Sequence, residues 1–311
     1  MRTSSKSVRQ RGSALLMVLW LTAALSAIGL AVANNVRGET ERAGTNVDDA
    51  KSYFIARGAI ERAALRMVWG MPFYTQGTPA MDLDFPTASV HVEIVPETSR
   101  LSLNAGRPED LMRLLMALGT QENAAVDIAN AIVDWRSPDP LHNSPLDSFY
   151  LALSPSFLPR HASFVENEEL LLVKGITPDL FYGSSLDRSR AGLRDCVSVY
   201  GTTGGIDINT ARAETMQAVG LSPEDAANIV KYRTEHQMIA PRDFGGIIQS
   251  IGPSARRLGI GGQTMFTLRA TARIKQPDGK LSDLRRTVSA LVKFPRNATT
   301  GFQVLRWFDR G

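Results

Sequence analysis

Three carboxylates, Asp134, Asp139 and Asp147, fall in a stretch rich in proline and serine with one asparagine. Hard oxygen ligands offered from a turn-rich loop are the chemistry of calcium binding. The same pattern also describes solvated loop carboxylates, with Asp139 opening a turn, and the residues by themselves leave both readings open. A little further on, Ser154, Ser156, His161 and Glu166 cluster in sequence and supply the residue types of a nucleophile, a base and an acid. No nucleophile elbow, phosphate-binding glycine loop or metal motif surrounds them, and sequence proximity cannot supply triad geometry, so the chain is not read as an enzyme. The four histidines, His91, His142, His161 and His236, are far apart and lack metal-ligand spacing, so no chemistry is assigned to them. Cys196 is the single cysteine, which excludes an internal disulfide and any multi-cysteine metal site.

The elements that position these residues begin with composition. At 43% hydrophobic and 21% charged, the 311 residues describe a folded protein of about two compact units. The net charge of +4 is matched by Arg2, Lys6, Arg9 and Arg11, so the remainder is nearly neutral and lacks the general basic surface of a nucleic-acid binder. Residues 13–33 carry no charge, and a helix of that length spans ~30 Å of hydrocarbon. The basic flank precedes the run, which places the rest of the chain on the non-cytoplasmic side. Ala31-Val32-Ala33 offers the small-x-small pattern of a conventional signal cleaved before Asn34, but the apolar run is longer than a signal core. Apolar residues also continue at helical spacing through Tyr53, Ile60, Ala64 and Met67, with no proline before Pro72. One helix of more than fifty residues is expected, apolar first and amphipathic later.

Residues 89–95 alternate Val90, Val92 and Ile94 with polar neighbours, the signature of a half-buried strand, and residues 100–104 read as a second short strand. Near the C-terminus, residues 264–275 and 282–294 are strand-like around Pro277-Asp278-Gly279, a turn signal. Between these strands lies an internal repeat. Leu101-Ser102-Leu103-Asn104-Ala105 matches Ile206-Asp207-Ile208-Asn209-Thr210, and the landmarks Glu109, Leu111, Leu118-Gly119, Ala125, Ile128 and Arg136 answer to Glu214, Met216, Gly220-Leu221, Ala227, Val230 and Arg233. Each copy reads as a strand end, a capping asparagine and two short helices around a glycine turn. Residues 167–177 read as a further helix stopped by glycine.

The short basic leader, Arg11-Gly12, Ser13 and the apolar run resemble a type IV pilin-like precursor. That resemblance implies prepilin peptidase cleavage after Gly12 and methylation of the Ser13 amine. Most such proteins carry glutamate at the fifth mature position; here it is Met17, a departure shared with the K-type minor pseudopilins of type II secretion. The two asparagine-led copies, Asp134-Trp135, the NEELLLVKGI stretch and the closing strands follow in the order that family shows, so the resemblance covers nearly the whole chain. The family's acid-rich loop implies calcium. Here Ser137 stands where an acid is usual, and Ser144-Pro145-Leu146 replaces a Gly-Ala-Glu-like element.

The repeat also resembles helix-hairpin-helix modules (and SAM-like folds), including those of membrane-tethered DNA-binding proteins. Its turns, however, present Pro223, Glu224 and Asp225 in one copy and no Lys or Arg in the other, which argues against phosphate and hence nucleic acid. The resemblance implies an α+β fold: a pilin-like helix on a small antiparallel sheet with a large duplicated helical insertion. The expected divisions are leader 1–12, helix 13–70, first part of the sheet 71–104, first inserted domain 105–190, strand and second repeat 191–263, and closing strands 264–311. It implies a single-pass inner-membrane subunit with a periplasmic domain, at the tip of the pseudopilus, with I-type and J-type minor pseudopilins and the prepilin peptidase as partners.

Overall fold

The computed structural model describes residues 9–141, 143–183, 191–261, 264–276, 278–295 and 301–309. The expectations resting on Arg2, Lys6, His142 and Pro277 lie outside them.

One helix, Arg9–Trp69, runs for 61 residues, about 90 Å at the α-helical rise. Its two halves have different surroundings. Every large apolar side chain from Leu15 to Val36 is exposed, and Ala14–Trp69 is long and apolar enough to cross a membrane. In the second half Ser52, Ala56, Ala59, Ile60, Ala63 and Ala64 are fully buried, spaced to form one face. Four of the six are alanines, and their small side chains let a sheet approach the helix closely.

That sheet has five antiparallel strands in the order Ala80–Phe85, Ala88–Pro96, Met265–Ile274, Arg286–Lys293 and Gln303–Phe308. Val90 faces Ala272, Val92 faces Ala270 and Ile94 faces Leu268, so the buried side of each strand meets the buried side of its neighbour. The first and last of the five were not expected from sequence. Residues 80–85 lie in what reads as a connector, although Met81, Leu83 and Phe85 alternate with Asp82 and Asp84.

The insertion leaves the sheet at Glu97 and rejoins it at Met265. Leu101–Ser102, expected to belong to the sheet, pairs instead in parallel with Val197–Ser198 inside the insertion, so the sheet's first part ends at Pro96. The insertion has its own hydrophobic core, separate from that under the long helix. The joint is organised by Glu97, whose nearly buried carboxylate accepts from Thr267 of the sheet at 2.6 Å and from Ser198 of the insertion at 2.6 Å, and pairs with Arg100 at 3.2 Å. A buried carboxylate met on all sides is costly to lose, and it holds the two bodies together. The expected helix at 167–177 is a 3-10 helix over Asn167–Leu172, with Gly175 in the left-handed region beyond it.

Candidate functional site

The insertion contains the same module twice. In the first copy the helices are Pro108–Ala117 and Glu122–Arg136; in the second they are Ala213–Ala218 and Pro223–His236. The turns hold Gly119 and Gly220 at positive φ, where a side chain would be strained. Each copy is closed by an asparagine whose side-chain amide binds both the backbone N–H and the C=O of one distant residue. Asn104 accepts from Phe164 N at 2.7 Å and donates to Phe164 O at 3.0 Å. Asn209 does the same to Ile239, at 2.7 and 3.0 Å. Each copy is also pinned by an arginine: Arg136 donates to the Leu103 and Gly106 carbonyls, and Arg233 to that of Ile208. The two strand ends are alike too, since Ile206–Asp207 pairs in parallel with Leu258–Gly259.

The repeat therefore exists, but its register differs from the sequence reading. Ala226 and Ile229 are buried, whereas Ala227 is exposed and Val230 half-buried. The buried pair corresponding to Ala125 and Ile128 is Ala226 and Ile229, because the second copy's first helix is four residues shorter, about one turn. The asparagines do not cap helices; they clamp the returning chain. The copies are joined through Asp110, which takes both guanidinium nitrogens of Arg257 at 2.9 and 2.8 Å and Arg113 at 2.6 Å. Burial alone would raise the Asp110 pKa, but these arginines outweigh it and hold the carboxyl below its ordinary value.

The copies differ in how the chain returns to the clamp. Asn209 and Ile239 are 30 residues apart, while Asn104 and Phe164 are 60 apart. The extra length in the first copy begins just after Asp134 and holds the other two predicted carboxylates. Asp134 sits in the last turn of its helix, Asp139 in the following turn, and Asp147 at the start of the short helix Asp147–Leu151. Trp135 anchors the segment by stacking on Phe164 and meeting Tyr150 and Phe157 edge to face.

Asp139, Asp147 and His161 bring one ligand atom each within 4.8 Å of one another. Most of the oxygens here already have partners. Asp139 Oδ2 accepts from the backbone N–H groups of Asn143 and Ser144, Asp134 Oδ1 accepts from Ser144 Oγ, and Asp147 Oδ1 faces His161. Among the described residues of the loop, Asp134 Oδ2 is the buried side-chain oxygen left without a partner. Calcium takes roughly six to eight oxygen ligands, and an imidazole nitrogen in the middle of the cluster is not one. The residues present do not fit a calcium ion. His161, to which sequence reasoning gave no role, is the group that organises the cluster. Burial alone would lower its pKa, but the hydrogen bonds to Asp147 and to the Asp134 carbonyl, with both carboxylate charges, raise it above the ordinary value. The serines give no triad, since both ring nitrogens face other groups, and Glu166 pairs with Arg306. Cys196 is buried, and burial pushes its thiol up to about 12.

Gly12 and Ser13 lie within the long helix, and Met17 is exposed on it. The fold is pilin-like: an apolar helix half embraced by a small antiparallel sheet, carrying a duplicated helical insertion. Residues 97–183 match the family described as type II secretion system protein K, and residues 201–254 match the helix-hairpin-helix motif. The protein K of Klebsiella pneumoniae is 28% identical over 196 residues, covering 56% of this chain, and the match spans 60% of that relative's length. A solved structure, the GspK-GspI-GspJ complex from the type 2 secretion system of enterotoxigenic Escherichia coli, superimposes with a TM-score of 0.55 at 16% identity, covering 86% of this chain and 98% of the matched one. Over residues 97–183 the chain is thus similar to the type II secretion system protein K family.

Proposed function

We propose that this chain is a minor pseudopilin that forms or initiates the tip of the periplasmic pseudopilus, for export of folded proteins by type II secretion. The observation that carries the reading is the division of the long helix, bare and apolar through its first half and embraced by a pilin-like sheet in its second. A bare apolar helix is stable in lipid, and packing against sibling helices exchanges one apolar environment for another. The insertion adds a second core beside the sheet, and bulk of that kind is tolerated at an apex, where no subunit stacks above. Prepilin peptidase cleaves after Gly12, and the amine of Ser13 is methylated. Met17 suits a subunit that makes no carboxylate pairing with a neighbour's amine, because an unpaired carboxylate in apolar surroundings is costly. The four basic residues before the span keep that end cytoplasmic and place the body in the periplasm, anchored once in the inner membrane.

The role is structural rather than catalytic, and the partners are I-type and J-type minor pseudopilins. The outer face of the long helix supports this, since Phe54, Leu65 and Trp69 stay exposed beyond the membrane stretch. The test is co-purification of the full chain from membranes with both siblings. Replacing Phe54, Leu65 and Trp69 together by serine is expected to abolish recovery of the siblings while leaving Tm nearly unchanged, since exposed positions usually contribute within about 0.5 kcal/mol. Unchanged recovery would sink the proposed interface.

A further inference from the structure

The loop of the first module gathers carboxylates around a group that belongs to the chain itself. His161 holds Nδ1 3.2 Å from the carbonyl oxygen of Asp134 and Nε2 2.9 Å from Oδ1 of Asp147. Both of these oxygens only accept. A neutral imidazole has one N–H and one bare nitrogen, so it would set a lone pair against an oxygen on one side or the other. The doubly protonated ring donates to both. The ring is 6% exposed and the Asp147 side chain 10%, so water does not take over either contact. The Asp134 carbonyl belongs to the last turn of a 15-residue helix, where the helix dipole favours a cation. Asp139 completes the surroundings within 4.8 Å.

We infer that His161 is the resident cation of this loop: its imidazolium joins the end of the Glu122–Arg136 helix to the start of the Asp147–Leu151 helix, in place of a divalent metal ion. The backbone agrees with a built feature, because His161 adopts φ +45°, in the left-handed region that histidine, asparagine and aspartate enter more readily than most residues. His161→Asn keeps that tolerance, removes the charge and leaves donors on only one side of the group, the other being an acceptor oxygen.

The test uses the full chain in detergent, labelled with 15N, at pH 7 with EDTA. Long-range imidazole NMR is expected to show protons on both ring nitrogens of His161, whereas a bare nitrogen would overturn the inference. Limited proteolysis of the same protein reads the consequence. Cleavage within residues 137–161 is expected to proceed equally in millimolar calcium and in EDTA, and several-fold faster in His161→Asn under both conditions. Protection of the wild-type loop by calcium, or a variant as resistant as wild type, contradicts the inference.

Discussion

The two copies of the helical module share a frame and differ in one connection. Both tie an asparagine to the backbone of a returning residue and an arginine to the segment between the strand and the first helix. The second copy returns directly from Gln237 to Ile239, whereas the first makes an excursion that carries Asp139, Asp147 and His161. The clamp is therefore the part of the module that folding requires, and the excursion is an addition the clamp tolerates. Closing a longer loop costs little more than closing a short one, so once Asn104 holds Phe164 the intervening chain is free to diverge.

The largest effect is expected where the copies meet. Asp110→Ala leaves Arg257 and Arg113 without their carboxylate, and breaking such a buried pair costs about 3 kcal/mol or more. Its pH dependence follows from the sign of the shift: the Asp110 pKa is depressed, so its contribution is present above the free carboxyl value near 3.8 and is lost as pH falls through the depressed value. Acid unfolding followed by circular dichroism should show this loss in wild type and not in Asp110→Asn, with the variant already less stable at neutral pH. Equal acid midpoints would remove Asp110 from the interface account.

Next in size is the clamp itself. Asn209 is buried and Asn104 half-buried, so Asn209→Ala is expected to cost about 2–4 kcal/mol by leaving two backbone groups unmet, and Asn104→Ala less because water reaches its peptide unit more easily. Denaturant midpoints measure both. A larger loss at Asn104 would mean that the excursion, rather than the clamp, holds the first copy together.

Much of the frame was legible because it depends on periodicity and on short recurring patterns. The uncharged run at 13–33, the alternation of Val90, Val92 and Ile94, and the paired Leu-x-Leu-Asn and Ile-x-Ile-Asn segments each reflect one dominant physical demand. The asparagine's task was harder to read, since its partner lies 30 or 60 residues away and is a backbone group with no sequence signature. The same holds for Ala226, whose burial depends on one helical turn lost between the copies. Strands such as Ala80–Phe85 are short and flanked by glycine and proline, so local composition reads as a connector while pairing with residues 88–93 makes them strands. The carboxylates were visible as residue types. The role of His161 was not, because its significance lies in what each nitrogen faces.

Within the long helix a similar contrast holds between the bare first half and the buried second half, and the functional account depends on that first half remaining in the mature protein. Intact mass and N-terminal sequencing of the protein purified from membranes test this most directly. The account predicts a chain beginning at Ser13 with one added methyl group. A mature chain beginning at Asn34, with the apolar half removed, would contradict it.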